Sequence, residues 1–541
     1  MLVFELAEDR LHLRLIHHDS RGELKDLQLY FKKRRAGYFH DPLYKKKIWD
    51  GYDRFIDHDN RIGIGLWREL INFGDKYEYD IDIKGIDNLL NLDFTKEKSD
   101  KFVSVLLDGT TPQIEAYDYQ LEAIHRGLKY KFCSQELATS AGKTLIFFAY
   151  LSFLKRKGII NKEKKAILIV PKISLVEQTA IAFEKEYQTG LVPWNILRVG
   201  GKNKFSEEQF ADCELVISTY QSLIINKKVS KKLKAANNKL AKQKKQDNKE
   251  ESQIRLDRFK NFSVICIDEA HTSRGSSVRD MLLASTNAEY KLGLSGTIQI
   301  EDQFSDLFKI QEYLGPLSMV VKAKFLMDND YSVNVLVNML TLNYPIDEPF
   351  VQKYIALKES KGAPGKELYD MEKQFIVSYE PRINFIARLC EKLPGNKMVL
   401  FTNVKDLYGQ RIQDKILETN NKVYYIDGGV KDDDRTEYRE IMESGAGVVL
   451  VASFGTFSTG INLKNINYII FAESYKSEIT VRQSIGRGMR KLIGKHKITI
   501  LDLIDNLSGY MIKHGKVREK IYRDQEFQVS KREFDLSKFR Q

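Results

Sequence analysis

Two short stretches hold residue types that could move a phosphoryl group. The first is "TSAGKT", Thr139–Thr144. Ser140, Ala141 and Gly142 are small enough for the backbone to wrap an anion with successive N–H groups, and a helix starting there would turn its N-terminus to the same charge. Lys143 would then reach the β- and γ-phosphates of a nucleotide, and the Thr144 hydroxyl would hold Mg²⁺. The usual G-x-x-x-x-G-K-[ST] spacing wants glycine where this chain has Leu137. Alone, the stretch leaves an ordinary Gly-Lys-Thr turn open. The second is "VICIDEAH", Val264–His271. It puts Asp268 and Glu269 at the end of an apolar run, where Asp268 can act on a metal ion and Glu269 can serve as the general base that activates water. Farther on, "VRQSIGRGMR" places Gln483, Arg487 and Arg490 on one short element. Arginine forks suit the spread charge of a transferring phosphoryl group. A second domain facing the first would bring them to the γ-phosphate and couple hydrolysis to domain movement. Alone, they would be surface charge.

These residues need rigid elements to position them. The apolar run after Thr144 predicts a buried helix ending near Gly158. Short apolar runs at "AILIV" (166–170), "ELVIST" (214–219), "VICID" (264–268) and "YKLGLS" (290–295) alternate with helical stretches. A second group follows at "MVLFT" (398–402), "KVYYID" (422–427), "VVLVAS" (448–453), "YIIFA" (468–472) and "ITILDLI" (498–504). Continuous apolar strands between helices indicate parallel sheets covered on both faces. The expected architecture is α/β: two tandem doubly wound parallel-sheet domains at 113–325 and 326–510. A separate small α+β domain precedes them at 1–110, and a helical basic tail follows at 511–541. Between Asn226 and Arg258 lies a lysine-heavy segment without Gly or Pro. Val229, Leu233, Ala236 and Leu240 give it a thin helical stripe, so it reads as a helical insertion, either solvated or lying along DNA.

The 541 residues carry a formal net charge of +12, which suits a polyanionic partner and also fits a merely soluble basic protein. The four cysteines are scattered, with no C-x-x-C pair. This argues against structural zinc and a disulfide framework, and suits a reducing cytosol. No signal peptide or membrane-spanning run is read.

The order of these stretches resembles the superfamily 2 helicases. "YDYQLEAI" (117–124) is similar to the segment upstream of their phosphate loop, with Gln120 placed to read adenine. "ILIVPKISLVEQ", "RVGG" and "VISTYQSL" resemble motifs that touch the nucleic-acid backbone, which assigns such contacts to Gly201 and Thr219. "LGLSGT" resembles the motif linking ATP to strand binding, which gives Ser295 and Thr297, with His271, a coupling role. "MVLFTN", "VVLVASFGTFSTGINL" and "QSIGRGMR" resemble the principal motifs of the second domain; Thr402 would touch the strand and Gly460 would approach ATP. In this family the first loop glycine is often lost, so Leu137 does not count against the site. "AGYFHDPLYKKKIWDGYDRFIDHDNRIGIGL" (36–66) and "MIKHGKVREKIY" (511–522) narrow the resemblance to the phage UvsW-type recombination helicases. The resemblance implies RecA-like domains, ATP and Mg²⁺. It also implies a monomeric cytoplasmic motor on branched, duplex or single-stranded DNA or RNA–DNA hybrids, serving recombination, repair or replication restart without a membrane.

The front residues add a physical argument. Arg34, Arg35, Lys45, Lys46 and Lys47 interleave with Tyr30, Phe31, Tyr38, Tyr44 and Trp49. Cations hold phosphates without reading sequence, and aromatic faces stack on unpaired bases. The alternative is that the aromatics are core and only the cations face water. Three rival functions remain. One is a restriction-type translocase whose front domain cuts DNA with the D-x-K fragment Asp82–Lys84. The others are an annealing protein that uses ATP only as a switch, and an RNA helicase.

Overall fold

The computed structural model describes every residue except 92, 202–204, 224–257, 300–302, 360–364, 403–406, 461–462, 476, 508 and 541. The lysine-rich insertion therefore lies almost wholly outside the described residues. The chain divides into two compact units, Met1–Leu137 with Gly142–Val321, and Ala138–Ala141 with Lys322–Gln541.

The front of the first unit is a small mixed sheet. Its strands β1 (Leu2–Leu6), β2 (His12–His18), β5 (Arg61–Gly63) and β6 (Ile81–Lys84) run in the order β5-β2-β1-β6. Between them, β3 (Lys32–Arg34) and β4 (Tyr52–Arg54) form a separate antiparallel hairpin. The period-2 pattern of β2 buries Leu13 and Leu15 and exposes Arg14, so one sheet face is core and the other is wet. That core gathers Phe4, Leu27, Phe31, Phe55, Leu70 and Phe73, and also Phe308 from the helix Phe304–Leu314.

The small front α+β region expected from the sequence falls in the same compact unit as the larger sheet. It shares a core with the larger sheet of the same unit, through that one helix. Backbone proximity enforces the joint: a Cβ on Gly65 would lie 1.9 Å from the Gln311 carbonyl oxygen, and one on Gly63 would lie 2.3 Å from Glu312 Cγ. The helix Lys96–Leu107, within the expected front domain, packs instead on the helices Asp118–Tyr130 and Lys143–Arg156. There Phe94 and Phe102 meet Phe153 at ring separations of 5.3 and 5.2 Å.

The larger sheet holds β7 (Phe132–Leu137), β8 (Lys165–Val170), β9 (Ile196–Val199), β10 (Leu215–Thr219), β11 (Phe262–Asp268), β12 (Tyr290–Ser295) and β13 (Leu317–Val321). Their order is β13-β7-β12-β11-β8-β10-β9, and every pairing is parallel. Helices cover both faces, so the inner strands bury nearly every residue, as in the fully buried pattern of β8.

The second unit repeats the architecture. Its strands are β14 (Asn334–Asn343), β15 (Lys397–Phe401), β16 (Val423–Ile426), β17 (Val449–Ser453), β18 (Tyr468–Phe471), β19 (Lys497–Asn506) and β20 (Gln528–Asp535). They run in the order β16-β17-β15-β18-β19-β14-β20. The tail is corrected here: it is helical over Gly509–Asp524, then adds β20 in parallel to β14 as an edge strand. Two buried ion pairs pin helices to β19. Arg382 binds Asp505 at 2.6 and 3.0 Å, and Arg518 binds Asp502 at 2.8 Å, all four side chains being no more than 1% exposed.

Candidate nucleotide and strand-binding site

β7 ends at Leu137 and the helix Lys143–Arg156 begins six residues later, so the loop between them is tight. Ser140 and Gly142 both take positive φ, 75° and 73°, which turns successive N–H groups to one side. Gly142 is required twice over. Its φ disfavours a side chain, and a Cβ there would lie 2.3 Å from Gln120 Nε2. Gln120 is itself held, because its Oε1 accepts from the Tyr117 N–H at 2.9 Å and so caps the helix Asp118–Tyr130. The glutamine expected to read adenine thus sits against the phosphate loop. Lys143 and Thr144 open the helix, where its dipole favours an anion.

Lys143 Nζ stands 3.9 Å from Glu269 Oε1. Asp268 closes β11, and its Oδ1 accepts from the Glu269 N–H at 3.0 Å. Glu269 has φ 55°, an uncommon conformation for a residue with a side chain, of the kind that clusters at active sites. Two further groups meet its carboxylate, and a third braces them. Ser295 Oγ donates to Glu269 Oε2 at 3.0 Å, and His271 Nδ1 lies 3.3 Å from the same oxygen and 2.8 Å from Ser295 Oγ. Thr297 adds its hydroxyl 3.4 Å from His271 Nδ1 and its N–H 3.2 Å from Ser295 Oγ. The expected acid pair and the expected coupling residues therefore form one hydrogen-bonded cluster.

Burial and the neighbouring Glu269 charge push Asp268 above the usual carboxylate range, against the pull of Lys143. Burial would raise Glu269 as well, but Lys143, His271 and Ser295 outweigh it and hold Glu269 below that range. Two adjacent carboxylates are thereby pushed apart, with Glu269 the one kept ionised. Among the described residues no cluster of three His, Cys, Asp or Glu could hold a metal ion by itself. Asp268 and Thr144 offer one carboxylate and one hydroxyl. That suits Mg²⁺, which commonly takes one or two carboxylates and completes its shell with substrate phosphates and water.

In the second unit Gln483 and Arg487 lie four residues apart on the helix Glu478–Gly488, on one face. Arg490 lies two residues past its end, so the three do not share one element. Gly460 ends the helix Phe454–Gly460.

The expected nucleic-acid contacts divide. Gly201 sits in a turn with φ 62°. Thr219 is buried, and its hydroxyl pairs with Ser222 Oγ at 2.8 Å, which makes it a local cap at the end of β10. Ser453 and Thr456 repeat that arrangement at the end of β17, also at 2.8 Å. Thr402 donates its N–H to Glu473 at 2.7 Å. At the front, Arg35 stacks over Trp49 at 4.3 Å and binds Asp53, while Arg34 lies over Tyr38 at 4.3 Å. These aromatics are half-buried and outside the core cluster, so neither alternative for them holds fully: arginines already cover their faces. Lys45, Lys46 and Lys47 are exposed. Asp82 and Lys84 share the exposed side of β6, with no acidic cluster beside them among the described residues.

Glu136 escaped the sequence reading. It is a carboxylate in a fully buried strand just before the loop, and that isolation was the available signal.

Comparison with known proteins agrees with this layout. Residues 108–300 match the family described as "Type III restriction enzyme, res subunit", and 381–491 match the "Helicase conserved C-terminal domain". The chain is 28% identical over 543 aligned positions, 96% of its length and 97% of the relative's, to the ATP-dependent DNA helicase uvsW of Enterobacteria phage T4. The chain is an ATP-dependent helicase similar to the UvsW-type superfamily 2 helicases. The crystal structure of T4 UvsW covers 99% of both chains at 25% identity, with a TM-score of 0.46. The DUF1998 helicase MrfA, solved bound to DNA, matches 80% of this helicase and 52% of its own chain at 14% identity and a TM-score of 0.51, a likeness of fold. No helix among the described residues of this helicase is long and apolar enough to cross a membrane.

Proposed function

We propose that this helicase hydrolyses ATP to unwind or branch-migrate branched DNA, including forks, four-way junctions and strand-invasion loops, in recombination, repair or replication restart. The observation that carries this reading is the hydrogen bond from Ser295 to Glu269 at 3.0 Å. It ties the residue expected to sense a bound strand to the residue expected to activate water. The 28% identity to the T4 helicase over 96% of the chain supports DNA as the track.

Bound ATP with Mg²⁺ supplies the phosphoryl group and neutralises its charge. Lys143 and the loop N–H groups hold the phosphates, and Thr144 with Asp268 would hold the metal. Glu269, kept ionised, takes a proton from water as general base. Arg487 and Arg490 would give positive charge to the transferring group, with Gln483 beside them in the same motif. Lys45, Lys46 and Lys47 hold phosphates around the branch. Monomeric action in a host cytoplasm fits this role.

The test is ATP hydrolysis and unwinding measured across single-stranded DNA, duplex, fork, four-way junction, R-loop and RNA. Branched DNA should stimulate both most strongly. Equal or greater stimulation by RNA would favour an RNA helicase, and strand pairing without ATP would favour an annealing protein. Within that assay Arg490→Ala should cut DNA-stimulated hydrolysis sharply while DNA affinity stays near wild type.

A further inference from the structure

Glu136 is 4% exposed, on the strand next to one edge of the first-unit sheet, with Ser295 of β12 as its neighbour on one side and Val320 of edge strand β13 on the other. Its Oε2 accepts two successive main-chain N–H groups, from Ile298 at 3.1 Å and Gln299 at 2.7 Å. Those two residues occupy a junction. Immediately before them stand Ser295 and Thr297, whose hydroxyls reach Glu269 and His271. Shortly after them begins the helix Phe304–Leu314, whose Phe308 is built into the front core. One carboxylate oxygen therefore fastens the strand that launches the phosphate loop to the segment between the acid pair and the front domain.

We propose that Glu136 is a positioning residue for hydrolysis. It fixes the backbone of 297–299, so that the Ser295 and Thr297 hydroxyls stay in register with Glu269 and His271. A carboxylate suits the task because a single oxygen, with two lone pairs, can accept from both donors. Without an acceptor there, two main-chain N–H groups would stay unpaired beneath the sheet edge, and the segment would shift to find other partners. Glu136 touches no reacting atom in this arrangement, so its effect falls on turnover and not on nucleotide binding. The proposal rests on the reading of this site as an ATP hydrolase.

The experiment compares Glu136→Ala and Glu136→Gln with wild type in DNA-stimulated hydrolysis, resolving kcat from KM for ATP. Glutamine keeps an acceptor oxygen of the same reach. Glu136→Ala should lower kcat about tenfold or more with KM for ATP within about threefold of wild type, as expected when only a transition-state arrangement is lost. Glu136→Gln should recover kcat to within about threefold of wild type, since its carbonyl can still accept both N–H groups. Three results would overturn the proposal: an alanine variant with normal kcat, a glutamine variant no better than alanine, or an alanine variant that fails to fold, which would make Glu136 structural. Wild-type protein without DNA-stimulated hydrolysis would instead sink the proposed function.

Discussion

Lys309 Nζ lies 2.7 Å from Asp53 Oδ2, joining the helix after the coupling segment to the front hairpin. Asp53 also binds Arg35 at 3.1 Å and accepts from the Ser305 hydroxyl. Burial would raise this carboxyl, but Arg35, Lys309 and Ser305 together hold it down at about 2. A depressed folded pKa stabilises above the unfolded carboxylate range, and the gain is lost as pH falls toward the folded value. Asp53→Asn should therefore weaken the fold by about 1–3 kcal/mol, discounted for the partial exposure of Arg35. The gap between variant and wild type in urea unfolding should stay flat from about pH 5 to pH 8, because both states hold Asp53 ionised there. A gap that opened only near pH 8 would contradict this account.

The acid pair gives the sharpest catalytic expectation. Glu269 sits where Ser295, His271 and Lys143 converge, and it is the carboxylate kept ionised. Glu269→Gln should keep ATP binding and lose turnover by about 10²–10⁴, the usual contribution of a positioned base. Lys143→Ala should weaken nucleotide binding as well, because it removes charge from the phosphates in ground and transition states alike. Filter binding of nucleotide beside steady-state hydrolysis separates the two, and near-normal turnover in either variant would defeat the assignment.

What the sequence made legible follows from burial. Runs such as "AILIV" and "VVLVAS" lie inside parallel sheets and are apolar because helices cover both faces. The strand β7 is just as buried yet reads "FCSQEL", since Ser134, Gln135 and Glu136 each meet a specific partner there. Hydropathy cannot register a polar strand whose side chains bond to partners elsewhere in the fold. The edge strand β20, "QVSKREFD", is mostly exposed and charged for the opposite reason: it has one neighbour and faces water. The placement of Lys143 at a helix start and of Asp268 at a strand end, with Glu269 next to it, was readable from spacing. The bonds from Ser295 and Glu136 were not, because they join segments far apart in the chain, by 26 positions for Ser295–Glu269 and 162 for Glu136–Ile298.

Lys291 should make stability depend on alkaline pH. It is fully buried on β12, its Nζ finds no hydrogen-bond acceptor among the described residues, and it lies 4.8 Å from the centre of the Phe132 ring. Burial pushes its pKa down to about 7. Between that value and the unfolded lysine range near 10.4, the unfolded chain holds a proton the folded chain lacks, so stability rises with pH across this window. Lys291→Met keeps the apolar stem and removes the titration. The variant should be more stable than wild type at pH 7.5, by on the order of 2–4 kcal/mol, and the advantage should shrink by about 1.4 kcal/mol per pH unit toward pH 9.5. Urea midpoints at both pH values decide it; an advantage unchanged between them would mean that Lys291 is not the titrating group.

The exposed lysines at the front should act through phosphates alone. Arg34 and Arg35 already cover Tyr38 and Trp49, and Arg35 is also tied to Asp53, so these two cations are less available to DNA than the sequence suggested. Lys45, Lys46 and Lys47 are exposed, at and just past the end of the short helix Pro42–Lys45. Replacing all three with alanine should weaken binding to a four-way junction and flatten its salt dependence, by about 0.9 in the logarithmic slope for each duplex phosphate no longer neutralised. Basal ATP hydrolysis without DNA should barely change, since Lys143, at a helix start, and Glu269, just past the end of β11, are not part of the front hairpin. Arg35→Ala should behave differently: it breaks the bond to Asp53, so it should cost stability while moving the salt slope little. Binding titrations at several salt concentrations, with urea unfolding beside them, separate the two kinds of cation. If the triple variant keeps the wild-type slope and Arg35→Ala flattens it, phosphate binding belongs to the stacked arginine and the lysines are solvated surface.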